Sequence, residues 1–279
     1  MYKRIAVHVD RDGAFERRIA AAVGLAQAHN GEVVGVYVQD PPYVYGYNES
    51  LTPTAVLEVQ RRLINDERQQ VQRTFEHLTA SAGVPNSWSS VEGLRDVELA
   101  VQARSSDILI LSQPDADFSR RSSIEPYQLE TVIMTAGRPV IVVPYDGGLA
   151  DPVERVLICW DGGREAAQAV ADAAPFLGRA KEIVVLSLDQ DLVPRTGNRS
   201  AVGGLEAYLR AHGYVAPKAV FGSSDGVGIG NAILNTASDH GADLIVMGLY
   251  GHSRAREWIL GGASREILAT MTVPVLFAH

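Results

Sequence analysis

Cysteine is almost missing from this chain: Cys159 stands alone, so no internal disulfide can form and no cysteine cluster can hold a metal. No stretch reaches the ~18 consecutive apolar residues that a membrane span needs. The opening MYKRIAVHVD turns polar too soon for a secretion signal. Excess positive charge is absent as well. Lys and Arg total 25 against 33 Asp and Glu, a net −8 at pH 7, which argues against non-specific attraction to nucleic acid or to an anionic membrane. A small anionic ligand stays open, because its binding depends on the local field rather than the total charge. The seven histidines include no i, i+4 pair, so a histidine-based metal centre is not expected. These absences leave a cytoplasmic protein as the simplest expectation.

What is present is a plan written twice. The 279 residues, 46% of them hydrophobic, suit one large domain or two of roughly 140. RIAVHVD (4–10) is a short β-branched run ending in an aspartate, and RVLICWD (155–161) is another, 151 positions later. Each leads through a Gly-containing turn into an Ala-rich helical stretch, ERRIAAAVGLAQAHN and REAAQAVADAAPFL. GEVVGVYVQD then matches KEIVVLSLDQD, SSDILILS matches GADLIVMG, and GRPVIVVP matches TVPVLFAH. Continuous apolar runs alternating with helical stretches predict βα units around a parallel sheet covered on both faces. YDGGLADP (145–152) is a credible linker. The expectation is two α/β domains of similar fold, 1–146 and 152–279.

The first half carries about fifteen extra residues, for which PPYVYGYNESLTPT (41–54) is the natural place, followed by a long amphipathic helix from Ala55. The last run of each half, PVIVVP or PVLFAH, would be an apolar edge strand and hence a pairing site. Pairing of the halves through Val140–Val143 and Val275–Ala278 as a pseudo-dimer is therefore expected, with a homodimer possible.

The richest local signal is GLYGHSRAREWILGG (248–262), directly after the run ADLIVM. Glycines let backbone N–H groups approach an anion without a Cβ in the way. A helix starting at the end of such a loop adds the positive end of its dipole. Ligands of parallel sheets bind beyond the carboxyl ends of the strands, where Asp161, Leu188 and Gly248 should all lie.

These features resemble the universal stress protein family in its tandem form. The resemblance rests on the repeated strand plan, Asp161 at the first strand of the second half, and Gly248, Gly251 and Gly261 in a G-x2-G-x9-G pattern. It implies two Rossmann-like domains, each an open, mostly parallel five-stranded sheet flanked by helices. It further implies a stress-response protein binding ATP with magnesium. Asp161 would contact the ribose or the magnesium region, and the Leu188 backbone would recognise adenine. Gly248, Gly251, Gly261 and Gly262 would line the phosphates, with Ala263 beside them, Ser264 offering a hydroxyl and His252 a possible donor. One departure stands out. The family pattern places Ser or Thr after the third glycine, and this chain has Gly262 there. No general base is evident beside the loop, which disfavours a dedicated ATPase.

The first half departs further. Its counterpart of GLYG is SQPD (112–115), where Asp115 would repel a phosphate and Pro114 removes a donor. Asp10 is retained, with a turn or helix-cap role as its simplest reading, so this half is expected to be structural. Two alternatives remain for the whole chain: a nucleotide-free interaction protein, and a small serine hydrolase. The hydrolase would use Ser224 of GSSDG, which fits G-x-S-x-G, with Asp243 and either His252 or His279. GVGIGN (226–231) lacks the third glycine of a dinucleotide fingerprint and is set aside.

Overall fold

The β-branched runs become strands and the Ala-rich stretches become helices that cover them. The computed structural model describes residues 1–40, 54–114, 124–189, 198–249 and 262–279. The first half runs β1 (Arg4–His8), α1 (Phe15–His29), β2 (Glu32–Gln39), α2 (Thr54–Ser81), β3 (Asn86–Glu92), α3 (Arg95–Ala103), β4 (Ile108–Ser112), α4 (Pro126–Thr135) and β5 (Val140–Val143). The second runs β6 (Arg155–Cys159), α5 (Arg164–Asp172), α6 (Ala174–Leu177), β7 (Glu182–Leu188), α7 (Asn198–Ala211), β8 (Lys218–Gly222), α8 (Ile229–Asp239), β9 (Leu244–Gly248), α9 (Gly262–Thr270) and β10 (Val275–Ala278). The stretch read as one helix from Arg164 is two, because Pro175 has no N–H to continue α5.

All ten strands join one sheet in the order β3-β2-β1-β4-β5-β10-β9-β6-β7-β8. Neighbours within each half are parallel, and each half has the doubly wound order in which the chain steps from its third strand back across the first to its fourth. The one antiparallel pair is β5 with β10, registered at Ile141↔Leu276. Val140 to Val143, Leu276 and Phe277 are all fully buried there, which explains why both runs are apolar without alternation.

Side chains alternate across the sheet into two cores. One core gathers Ile5 and Val7 of β1 and Val156 and Ile158 of β6 with Ile19, Phe75, Val170 and Leu205 of α1, α2, α5 and α7. The other gathers Ala6, Leu109 and Phe277 with Leu99, Leu129, Ile233 and Ile267 of α3, α4, α8 and α9. The outer strands β3 and β8 are half-exposed and mixed in polarity. No helix among the described residues is long and apolar enough to cross a membrane.

Candidate functional site

A doubly wound sheet opens a crevice where the first and fourth strands of a unit diverge, beyond their carboxyl ends. Here that happens twice, between β1 and β4 and between β6 and β9. The two crevices differ in their contents.

In the first, the side chain of Arg18 lies under the carboxyl ends of both strands, only 1% exposed. Its Nε donates to the His8 carbonyl at 2.9 Å, and Nη1 donates to Asp12 Oδ2 at 2.5 Å and Ser112 Oγ at 2.9 Å. Nη2 forms an ion pair with Asp10. Burial alone would lower the arginine pKa, but the charges and hydrogen bonds of Asp10 and Asp12 raise it, so the guanidinium stays charged. His8 lies beneath, its Nδ1 3.6 Å from Asp10 Oδ2. Burial, reinforced by the Arg18 and Arg95 charges, holds its pKa well below the ordinary histidine value, so the ring is neutral. Asp10 also does the turn work expected of it, accepting the Asp12 N–H at 3.2 Å. Asp10 Oδ2 is buried without a hydrogen-bond partner. The loop after β4 begins tied down, since Gln113 accepts the Tyr145 N–H at 2.8 Å. Asp115 lies outside the described residues.

The second crevice keeps the frame, and among the described residues it has no counterpart of the Arg18 cation. Asp161 Oδ1 accepts the Gly163 N–H at 2.8 Å, repeating the turn of Asp10. The buried face of α1 (Phe15, Arg18, Ile19, Ala22, Leu25 and Ala26) recurs at a constant offset of 151 as Ala166, Ala169, Val170, Ala173, Phe176 and Leu177. Ala169 therefore stands where Arg18 does. Gly248 likewise stands where Ser112 does, paired with Ala278 as Ser112 is with Val143. Among the described residues no lysine or arginine pairs with Asp161.

Leu188 ends β7, half-buried and registered to Gly222. Asp189 follows at φ +51, a left-handed conformation that few non-glycine residues adopt. Its carboxylate accepts the Ser224 N–H at 2.8 Å and the Ser224 hydroxyl at 2.5 Å, and these bonds hold its pKa below the usual carboxylate value. At the start of α9, Gly262 faces open space, Ala263 is half-buried and Ser264 is buried at 5% exposure. The topology puts this helix start on the same edge of the sheet as Asp161 and Leu188, because α9 returns from the carboxyl end of β9 to the start of β10. Gly251, His252 and Gly261 lie outside the described residues.

Gly248 has a packing role that its motif position did not announce. A Cβ there would sit 2.5 Å from the Glu165 carbonyl carbon and 2.6 Å from the Ala166 nitrogen. Gly248 is thus the point where the start of α5 closes onto the end of β9.

The serine-hydrolase alternative is overturned. Asp243 accepts the backbone N–H groups of Glu154 and Arg155 at 3.0 and 2.9 Å, at the amino ends of β6 and β9. Ser224 follows the carboxyl end of β8, so the sheet separates the two, and its hydroxyl is spent on Asp189. The GVGIGN stretch is the start of α8, where Glu266 accepts the Gly230 N–H at 3.0 Å and occupies the helix terminus. Among the described residues no group of three or more His, Cys, Asp or Glu could hold a metal.

Comparison with known proteins agrees with this geometry. Residues 152–279 match the model of the universal stress protein family. The second half of the chain thus resembles that family along its whole length. A curated universal stress protein of Synechocystis is 24% identical over 153 residues, which is 53% of this chain and 49% of that protein, so the match spans about half the relative's length. In fold, a universal stress protein from Archaeoglobus fulgidus superposes over 99% of this chain and 97% of its own with a TM-score of 0.74, at 16% identity. A Pseudomonas aeruginosa structure described as a putative universal stress protein covers 99% and 93% at 0.61, with 13% identity. Both halves therefore carry the Rossmann-like architecture of universal stress proteins, including the first, which lies outside the family-model match.

Proposed function

We propose that this stress-response protein binds ATP, with magnesium, in the crevice of its second unit, 152–279, while the first, 1–146, is its structural partner. The observation that supports the reading is the contrast between two crevices at equivalent places in the strand order. One is filled by a guanidinium and its two carboxylates. The other presents the Asp161 carboxylate, without a cationic partner among the described residues, the half-buried end of β7 and the start of α9 at Gly262. A helix start whose first residue is an unobstructed glycine fits a phosphate through backbone N–H groups alone. Gly251, Gly261 and Gly262 are the loop positions for that contact, with His252, Ala263 and Ser264 beside them. Asp161 is assigned to the ribose or to magnesium, and the Leu188 backbone to adenine. A single carboxylate suits a magnesium ion carried mainly by phosphates and water rather than by a protein cage. The antiparallel pairing of β5 and β10 supports reading the two units as an intramolecular pseudo-dimer. The setting is cytoplasmic.

Calorimetric titration with ATP and magnesium tests this, beside Gly251→Asp, which copies Asp115 of the first half into the second. Saturable heat in the wild type, reduced at least about tenfold in affinity by the variant, is expected, since a carboxylate beside phosphates repels them. No heat, or equal binding by both chains, refutes the reading.

A further inference from the structure

We infer that Arg18 is a tethered ligand: the crevice of the first half is a guanidinium site whose occupant is supplied by the chain itself. Four of the five N–H directions of the Arg18 guanidinium have a named partner: a main-chain carbonyl at Nε, a carboxylate and a hydroxyl at Nη1, a second carboxylate at Nη2. The partners come from two separate segments, the end of β1 with its following turn and the end of β4, while α1 supplies the arginine. Asp10 and Asp12 are held in place independently of the arginine, because each also accepts a backbone N–H of the turn, at 3.2 and 2.9 Å. The cradle is therefore built by the backbone, and the cation fits into it.

Such a cradle selects a planar cation over a spherical one, because the donors of a guanidinium radiate in one plane. It also excludes anions. Two carboxylates, each under a tenth exposed, would repel a phosphate brought into the space that Arg18 fills. The first half is thus closed to phosphate ligands whatever the second half binds. The equivalent places in the second half hold Ala169 for Arg18, Gly163 for Asp12 and Gly248 for Ser112, so neither the cation nor most of its cradle is repeated there.

Arg18→Ala in the full-length chain tests this with ethylguanidinium as the probe and ethylammonium as its non-planar control. Both are added at roughly millimolar concentration, far below denaturing levels, at equal ionic strength. In the variant, ethylguanidinium should raise the melting temperature saturably and ethylammonium should not, while the wild type should show no saturable response to either. An identical response of variant and wild type overturns the inference. If the variant fails to fold, the wild type decides through hydrogen exchange at the Arg18 Nε–H, assigned by its loss in Arg18→Lys. Exchange on the order of a hundredfold slower than at exposed arginines supports the tethered site, and exchange at their rate overturns it.

Discussion

Replacing Gly248 by alanine adds one methyl group where the end of β9 meets the start of α5. The added carbon would lie 2.5, 2.6 and 2.7 Å from the Glu165 carbonyl carbon, the Ala166 nitrogen and the Glu165 Cβ. Ordinary carbon contacts sit at about 3.5–4.0 Å, so relief requires α5 to move by roughly 1 Å against β9. Two of the three obstructing atoms are backbone, so no side-chain rotation removes the clash. Overpacking of this kind costs about 1–3 kcal/mol, and a clash with backbone belongs near about 3. Gly248 has no positive φ to accommodate, so the whole effect is steric. With an m-value of about 3 kcal/mol/M, the urea midpoint should fall by about 1 M. Gly262→Ala supplies the control. Among the described residues nothing lies within 4 Å of its added carbon, and alanine is the better helix former by up to about 1 kcal/mol. Its midpoint should hold or rise slightly. Equal midpoints for the two variants, or a Gly248→Ala midpoint within about 0.2 M of wild type, would refute the packing account.

Phe277→Ala in β10 empties a fully buried site at the seam between the halves and should cost about 3–5 kcal/mol by denaturant titration; a loss under about 1 would mean that the seam closes around the gap. His8 carries a pH signature. Its pKa is depressed in the folded chain by burial and by Arg18, so the unfolded chain takes up the proton first. Stability from this group is therefore present above about pH 6.5 and falls on acidification, by about 1.4 kcal/mol per pH unit until the depressed value is reached. His8→Gln should flatten that part of the stability–pH curve, and an unchanged slope would show that the ring is protonated when folded.

Fold and site were legible to different depths. The eight inner strands announce themselves because a strand buried on both faces must be apolar throughout, as in ILILS and VIVV. NSWSSVE gave no such signal, because β3 has no neighbour beyond it and needs only partial burial. Asp161, Leu188 and Gly248 fell on the expected edge because alternation of strand and helix sets direction by itself. Arg18 went unread, although its signal was available: it is the one charged residue in the stripe Phe15, Ile19, Ala22, Leu25, Ala26 that α1 buries. A charge on an otherwise apolar helical face requires a buried partner, and Asp10 and Asp12 were the nearest candidates. The reason for Gly248 was not readable, because the closeness of α5 to β9 is a tertiary fact that local pattern does not encode.

The antiparallel seam at β5 and β10 also sets which way each half faces. Because every other neighbouring pair is parallel, the carboxyl ends of β1 to β5 point toward one rim of the sheet and those of β6 to β10 toward the other. The Arg18 crevice and the Asp161 crevice therefore look out in opposite directions. Between β1 and β6 lie five strand spacings, about 24 Å at ~4.8 Å each. No single small ligand can bridge the two. A macromolecule docking over one rim leaves the other free, which makes the chain a plate with two unlike ends.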